Sequence, residues 1–478
     1  MFSKTYVNRV LDPCYQNWRK YFTEISYAVH KAHLVMLRER NIIKPDIAAA
    51  IKQGMDSIEK DFVYPETIPD NTEDLYFVFE KELGRRIGED KAGFLHTARS
   101  RNDMDAAVFR IFIRRRILEL LDSLAVLAGS LQDRIAGNGG TDPIILYTHG
   151  QPANVSTMGH YLGSMLLNIG ECAESLCKAL NTVNKSPMGA CAITATGFPI
   201  DRSLVSQLLG FETPVVNSYE AISTSHWLTF PAAALKLLLT DIGRYMADMG
   251  HKASCEVGIL WFPDSLVQIS SIMPQKRNPV ILEHVRIQGA LAAGILGGIE
   301  DIFRNVPFQD VNEAGDAAAD EFSRAADLAL SCLDLFNETV QNAAIVRDRV
   351  YEISASYGIC TTELADSMVR DFGISFREAH GLTSAFVKSG NDKKTLRRKY
   401  AEAGYGELPY SDAEIDRILS PDNFIAVRTV PGGPAPGGME SVVQAASGVT
   451  ENLRAVISGI RTTEEKASRE LADRYAAL

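Results

Sequence analysis

Long amphipathic stripes of apolar residues constrain this chain more than any other feature. Between Ile113 and Ile135, apolar residues recur at steps of three and four, which is the period of a helix that buries one face. A second stripe runs from Leu235 to Met249 and a third from Val285 to Ile302, while alternating, strand-like segments are scarce. Helices of this length with few strands pack as a bundle. The sequence therefore predicts an all-α fold built on long helices.

The composition favours a folded chain and argues against two classes of partner. Of the 478 residues, 46% are hydrophobic, which is enough to bury a large core. The formal charge of -11 argues against a nucleic-acid partner. The longest nearly apolar run, residues 289–299, is far shorter than the ~20 residues that cross a bilayer. We therefore expect neither a nucleic-acid partner nor a membrane partner.

The N-terminal residues and the cysteines indicate the compartment. Residues 1–20 carry charged and polar groups where a signal peptide would have its apolar stretch. The seven cysteines lack CxxC spacing, and we interpret them as reduced, mostly buried thiols. Both observations predict a cytoplasmic protein.

Three polar stretches rich in turn formers interrupt the helical pattern. They are the first segment, 93–105 (GFLHTARSRNDMD), the second segment, 147–160 (YTHGQPANVSTMGH), and the third segment, 268–279 (QISSIMPQKRNP). Each adjoins a long helical stripe. Loops held by a rigid scaffold often carry binding groups, so we expect these segments to hold the functional residues.

The third segment has the groups that proton abstraction next to a carboxylate requires. Lys276 and Asn278 are donors that suit the charge developing on the carboxylate oxygens. Ser270 or Ser271 can act as the base only if nearby positive groups lower the pKa of its hydroxyl. The alternative is a flexible surface loop whose charges are solvated.

The first segment places a dense set of hydrogen-bond donors before a helix. Arg99, Ser100, Arg101 and Asn102 suit the recognition of carboxylates. The alternative is a structural role, in which Asn102 or Asp103 caps the helix and the arginines form surface pairs. Both roles can hold together.

The second segment supplies Thr148, His149 and Gln151. A histidine that titrates near neutral pH can pass a proton to a leaving group. A single histidine is more often structural, so this segment by itself leaves both readings open.

Taken together, these motifs resemble a known enzyme family over nearly the whole chain. SSIMPQKRNP resembles the signature of the fumarase/aspartase superfamily, and HTARSRND and THGQPAN are similar to the forms found in its argininosuccinate lyase branch. Further matches lie at 197–202 (GFPIDR), 361–380 and 420–436. The chain is therefore identified as similar to the argininosuccinate lyases.

The resemblance implies an architecture and a reaction. It implies a homotetramer with a 20-helix core and three mainly helical domains, at residues 1–98, 99–350 and 351–478. It also implies active sites built from the three segments of three different subunits. The implied reaction is an elimination, free of metal and cofactor, that releases fumarate from an N-substituted aspartate.

The same resemblance assigns roles to individual residues. Ser270 matches the catalytic base, with Ser271 as its neighbour, while Lys276 and Asn278 match the groups that stabilise the aci-carboxylate intermediate. The remaining assignments concern the leaving nitrogen (Thr148 and His149), the carboxylate that holds the histidine (Glu283), and substrate binding (Ser100, Arg101, Asn102, Gln151 and Ser271).

Four positions depart from the pattern of the argininosuccinate lyases. Tyr76 replaces a histidine, Ile269 replaces the glycine before the serines, and 218–227 (SYEAISTSHW) loses an Arg-Asp pair and gains His226 and Trp227. In 308–317 (FQDVNEAGDA) the position of a lysine falls near Asp316, which would repel a carboxylate that the lysine attracts.

These departures keep two alternatives to argininosuccinate cleavage open. The first is a lyase for another N-substituted aspartate, including aminopolycarboxylates such as ethylenediamine-disuccinate. The second is an inactive structural homologue like the lens crystallins of this superfamily. The six candidate residues Ser270, Lys276, Asn278, Thr148, His149 and Glu283 argue against the second alternative, because an inactive scaffold has no need of this set.

Overall fold

Five long helices form the centre of the protein in a computed structural model that describes residues 2–478. In chain order, the first to fifth bundle helices are Arg101–Ala136, Met158–Val183, His226–Lys252, Val280–Ile302 and Asp316–Asn342. The three stripes lie on the first, third and fourth of them. The first two stripes are largely buried, whereas the third has Val285 and Ile299 buried but Leu291 and Ile302 exposed. The predicted all-α bundle of long helices is confirmed.

The bundle has two ends that differ in the segments they carry. The first bundle helix has 36 residues and is therefore about 54 Å long. Tyr147, which follows its C-terminal end, contacts His251 near the end of the third helix, with ring centroids 4.7 Å apart. Trp227, at the start of the third helix, stacks on Phe109 near the start of the first. We call residues 143–157 and 253–279 the hairpin end, and residues 93–101 and 303–315 the far end.

Further helices and four small sheets surround the bundle. The other helices are Lys4–Tyr6, Asp12–Asn17, Thr23–Glu39, Pro45–Asp61, Leu75–Ile87, Glu89–Ala92, Arg202–Leu208, Ser218–Ser223, Arg347–Ser356, Thr361–Phe372, Phe376–Lys388, Lys393–Glu402, Asp412–Ile418, Pro421–Ala426 and Pro436–Ala476, with π-helical turns at Val7–Leu11 and Trp18–Phe22. Short 3-10 turns lie at Gly93–His96, Asn138–Thr141, Asp264–Leu266 and Asn312–Ala314. The antiparallel strand pairs are Pro143–Thr148 with Gln151–Thr157, Leu260–Trp261 with Ala344–Ile345, and Gln268–Ile269 with Arg277–Asn278, and the parallel pair is Lys185–Ser186 with Thr213–Pro214.

The apolar residues form one large core, a separate small core, and a cluster of four buried residues that includes Val215 and Ile222. The large core joins the N-terminal helices, the bundle and the last helix, Pro436–Ala476, which packs on the first and second bundle helices. The small core includes Leu364, Phe386 and Ile415. The division into domains at residues 98 and 350 stays a prediction.

The fourth bundle helix leaves an apolar face exposed. Ile287 is 49% exposed and Leu291 is 55% exposed, and Gly294 and Gly298 continue the same stripe. On length and composition alone this is the one helix in the described part of the chain that could span a bilayer, a candidate that the eleven-residue apolar run did not predict. A core helix of a soluble bundle can have the same length and apolar composition. Contiguous exposed apolar faces of this kind occur where a protein contacts another protein, a membrane or a ligand.

The first bundle helix gives a test of the core. Leu124 is fully buried, whereas Val126, two residues on, is 60% exposed. We expect Leu124→Ala to lower the free energy of unfolding by about 2–5 kcal/mol, because it removes buried methyl groups and leaves a cavity. Val126→Ala is the control, and we expect it to change the stability by less than about 0.5 kcal/mol. Urea unfolding followed by circular dichroism measures both, and equal losses would contradict the assignment of the helix faces.

Candidate active site

Ser100 begins the first bundle helix and fixes the backbone of the first segment. Its hydroxyl accepts from the N–H of Asn102, and its own N–H donates to Asp103 Oδ1 at 3.0 Å, which completes a capping box. The expectation that Asn102 or Asp103 is the cap was wrong. Ser100 is the cap, because the chain is extended at Ser100 and helical at Asn102 and Asp103. Asp103 is the third helical residue, and its carboxylate forms the second half of the capping box.

The Asp103 carboxylate also ties the first segment to a distant turn. Its Oδ2 accepts from the N–H groups of Gly189 and Cys191 at 2.9 and 3.0 Å. Burial raises the pKa of Asp103 to about 6, even though its backbone donors favour the ionised form. The backbone that carries Ser100 and Asn102 is therefore held from two sides.

Arg99 lies on the buried side of the first segment against two histidines. Its Nη1 donates to His30 Nδ1 at 2.9 Å, and His33 Nε2 donates to the carbonyl of Thr97 at 2.9 Å. Burial and the charge of Arg99 hold the pKa of both histidines well below the usual value. His30 is therefore a neutral acceptor that orients Arg99.

Tyr76, one of the four departures, belongs to the same buried layer. Its hydroxyl donates to Glu80 Oε1 at 2.9 Å and lies 2.7 Å from Nδ1 of His96. Burial raises the pKa of Tyr76 to about 12, so this position carries no charge near neutral pH.

Arg101 and Asn102 line a cavity of about 660 Å³ at the far end of the bundle. Arg101 forms ion pairs with Asp74 and, at 3.3 Å, with Glu73. Asn102 Nδ2 donates to the carbonyl of Ala192 at 3.4 Å. Two carboxylates therefore already compensate the charge of Arg101, and its predicted role in substrate binding stays a prediction.

Asp316, the departure with the largest effect on charge, lies in the same cavity. It is the first residue of the fifth bundle helix, where a carboxylate is favoured by the helix dipole. Its Oδ1 accepts from Cys14 Sγ at 3.3 Å, and its Oδ2 accepts from Asn17 Nδ2 at 3.2 Å. Trp227 lines the cavity as well. Two of the four departures thus meet beside Arg101.

The second segment forms a β-hairpin rather than a loop. Thr148 pairs with Gln151, so that His149 and Gly150 form a two-residue turn with φ values of 51° and 73°. This left-handed conformation suits glycine and matches the twist of a hairpin. Thr148, His149 and Gln151 are exposed at the tip of the hairpin.

The third segment forms a short hairpin with the serines in its loop. Ser270 Oγ accepts from the N–H of Met273 at 3.0 Å, and Asn278 Nδ2 donates to the carbonyl of Gln268 at 3.1 Å. Ser271 is exposed. Ile269, at the place of the usual glycine, is 79% exposed and sits in the strand pair that begins this loop.

Lys276, Asn278 and Glu283 line a second cavity, of about 670 Å³, at the hairpin end. Lys276 and Asn278 therefore lie at the same cavity, and their roles in catalysis stay predictions. Within the residues that the structure describes, no hydrogen bond or ion pair joins Glu283 to His149, and the predicted contact between them is absent from a single chain.

Three further residues of this cavity escaped the sequence analysis. They are His251, Cys255 and Arg286. Arg286 lies three residues after Glu283 and therefore on the same helix face. Its place beside Glu283 could have been predicted from the sequence. His251 and Cys255 gave no signal, because only the fold brings the end of the third bundle helix to the start of the fourth.

The structure therefore brings the candidate residues together as two groups. The second and third segments lie at the hairpin end, and Ser100, Arg101 and Asn102 lie at the far end. The first bundle helix, about 54 Å long, separates them. A single chain does not assemble all the predicted residues into one site.

Comparisons with known proteins identify the family. A lyase family model matches residues 15–294, and a model of the C-terminal region of argininosuccinate lyases matches residues 359–426. Argininosuccinate lyase 2 of Agrobacterium fabrum is 37% identical over 99% of this chain and 96% of its own length. Argininosuccinate lyase of Methanospirillum hungatei is 34% identical over 85% of this chain and 83% of its own.

Solved structures agree with this result. A variant of EDDS lyase with bound fumarate superposes with a TM-score of 0.84 at 24% identity, over 97% of this chain and 95% of its own. EDDS lyase in complex with formate superposes equally well, at 25% identity and the same coverage of both chains. The lyase family model and the argininosuccinate lyase relatives show that the protein is a carbon–nitrogen lyase. The chain belongs to the argininosuccinate lyase branch of the fumarase/aspartase superfamily.

The buried histidines behind the first segment predict a loss of stability in acid. Their pKa is lower in the folded state than in the unfolded state. The unfolded state therefore binds more protons below about pH 6.5, and the free energy of unfolding falls as the pH falls below that value. Each histidine contributes up to about 1.4 kcal/mol per pH unit.

We expect His33→Gln to reduce this slope, measured by urea unfolding at several pH values between about 5 and 7.5. The exposed His380 gives the control variant His380→Gln, which should keep the slope of the unchanged protein. An unchanged slope in His33→Gln would contradict the assignment of a neutral buried imidazole.

Proposed function

We propose that the protein catalyses the reversible β-elimination of fumarate from an N-substituted L-aspartate, either argininosuccinate or a close analogue. One observation carries this proposal: Lys276 and Asn278 line one cavity, and Ser270 lies in the loop of the same short hairpin. These are the donors and the hydroxyl that the removal of a proton next to a carboxylate requires. The family relationship supports the same chemistry.

In this mechanism, Ser270 takes the proton from the carbon next to the carboxylate. Lys276 and Asn278 then stabilise the aci-carboxylate, because their donors face the oxygens on which the charge develops. The carbon–nitrogen bond breaks, and the nitrogen leaves with a proton from the side of Thr148 and His149, with Glu283 positioning the imidazole. Ser100, Arg101, Asn102, Gln151 and Ser271 bind the carboxylates of the substrate. No metal or cofactor is assigned a role.

We further propose that three chains of a homotetramer build each site. The separation of the first segment from the other two by a helix of about 54 Å supports this arrangement. The exposed apolar face of the fourth bundle helix, with Ile287 and Leu291, is a suitable contact between subunits. Neighbouring chains that run in opposite directions bring a far end next to a hairpin end.

The second candidate substrate is an aminopolycarboxylate such as ethylenediamine-disuccinate. Asp316 in the cavity beside Arg101 counts against argininosuccinate, because this carboxylate repels the α-carboxylate of an arginine half. The amine half of ethylenediamine-disuccinate carries carboxylates of its own and meets the same repulsion, so Asp316 does not choose between these two substrates. The likeness to EDDS lyase shows the fold that both reactions share. The inactive structural alternative is disfavoured, because Lys276, Asn278 and Glu283 still line one cavity. A cytoplasmic location remains a prediction from the sequence.

The choice between the two serines gives the first test of the mechanism. We expect Ser270→Ala to reduce kcat by at least about 1000-fold, because the base is lost. Ser271→Ala should retain most of kcat and raise KM, because Ser271 binds substrate. The release of fumarate, followed by its ultraviolet absorbance with argininosuccinate and with ethylenediamine-disuccinate, measures both. Full activity of Ser270→Ala would refute its role as the base.

The shared site gives a second test. Asn102→Ala and Ser270→Ala should each be inactive as pure proteins. In mixed tetramers, up to about a quarter of the sites combine an unchanged first segment with an unchanged third segment from another chain. We expect co-expression of the two variants to restore up to about a quarter of the activity of the unchanged protein. A mixture that stays inactive, with both variants shown to share tetramers, would mean that each site belongs to one chain.

A further inference from the structure

The far-end cavity carries an excess of negative charge. Five carboxylates and two guanidinium groups line it. Arg101 is paired with Asp74 and Glu73, which leaves three other carboxylates: Asp105, Asp310 and Asp316. Within residues 2–478, none of these three forms an ion pair. A cavity this large accommodates more than a four-carbon dicarboxylate, so part of it is available to the other half of the substrate.

Two contacts hold one of these carboxylates in place. Cys14 and Asn17 each donate to Asp316, so its position does not depend on a ligand. Burial, strengthened by the neighbouring Asp74, raises the pKa of Asp105, and burial raises the pKa of Asp310. A bound cation would reverse this effect, because it favours the ionised form of each carboxylate.

The walls of the cavity also suit an alkyl chain. Tyr6, Phe109 and Trp227 line it beside the aspartates. Aromatic rings bury methylene groups, and their faces attract a cation that lies close to them.

The cavity at the hairpin end has the opposite charge. Three cationic side chains, Lys276, Arg277 and Arg286, line it with a single carboxylate, Glu283. The dicarboxylate half of the substrate therefore belongs with the cations of the hairpin end and with the donors Arg101 and Asn102. The unpaired aspartates of the far-end cavity offer the better environment for a positive group.

From this separation of charge we propose that the amine half of the substrate is an alkylamine that ends in a second cation, an ammonium or a guanidinium group, and carries no carboxylate. Asp310 and Asp316 are the residues that select it. This inference rests on the proposed lyase reaction and names the class of its amine. In the reverse reaction the amine nitrogen bonds to one alkene carbon of fumarate, and a proton adds to the other.

The test uses the unmodified tetrameric protein and fumarate with three amines: 1,4-diaminobutane, n-butylamine and L-arginine. The loss of fumarate absorbance is followed at mildly alkaline pH, where part of each amine is unprotonated, and the N-substituted aspartate is identified by mass spectrometry. We expect kcat/KM for 1,4-diaminobutane to exceed the values for the other two amines by at least about ten-fold.

A reaction that is equally fast or faster with L-arginine or n-butylamine would overturn the inference and leave the lyase reaction standing. The absence of any addition, together with no release of fumarate from argininosuccinate or ethylenediamine-disuccinate, would refute the proposed function and the inference with it.

Variants of the two aspartates test the residues themselves. Asp310→Asn and Asp316→Asn should each lower the ratio of kcat/KM for 1,4-diaminobutane to that for n-butylamine by about ten-fold, because the amide keeps the shape of the side chain and loses its charge. Asp316→Lys should invert the preference towards L-arginine. Asp334→Asn, an exposed change on the same helix, should leave the ratio unchanged. If the rates with both amines fall equally in the two Asn variants, these residues have a structural role only.

Discussion

The rigidity and length of the first bundle helix determine how this protein can build a site. Its 36 residues hold the first segment at one end of the bundle and the second and third segments at the other. A helix that packs on several neighbours along its length cannot fold back, so the three segments do not meet within one chain. The exposed stripe of the fourth bundle helix supplies the surface for the contact that we propose between chains.

The backbone of the first segment is fixed by buried polar contacts rather than by apolar packing. Asp103 accepts from three backbone N–H groups, and Arg99 is oriented by a neutral His30. Such contacts are costly to break, because removing one partner leaves a buried group unsatisfied. The segment is therefore held before substrate binds, and Arg101 and Asn102 project from a rigid base. This rigidity also makes the segment sensitive to acid through the two buried histidines.

The sequence predicts the parts of the structure that depend on local periodicity and on short motifs. The apolar stripes give the long helices, because a period of 3.6 needs no knowledge of tertiary contacts. The presence of Lys276 and Asn278 in one short segment follows from their spacing, while their roles stay predictions. The cap at Ser100 was misplaced by two or three residues, since several adjacent residues are able to cap a helix. The hairpin of the second segment was missed, although the His149–Gly150 pair is a turn signal.

Long-range neighbours could not be predicted in this way. His251 reaches the cavity of Lys276 only because the third and fourth bundle helices are antiparallel, and Cys14 reaches Asp316 across most of the chain. Neither contact leaves a trace in the local pattern. The charge of the far-end cavity is likewise a property of the fold, because its aspartates come from separate elements.

Most departures from the family pattern lie in or behind the far-end cavity, away from the residues proposed to carry out the elimination. Asp316 and Trp227 line the far-end cavity, and Tyr76 lies behind it in the layer of Arg99. The exception at the hairpin end, Ile269, is exposed beside the serine loop and adds no charge. The groups proposed to remove the proton and stabilise the intermediate are therefore retained, while the surroundings of the amine half differ. Under the proposed function, these departures affect the leaving amine rather than the elimination.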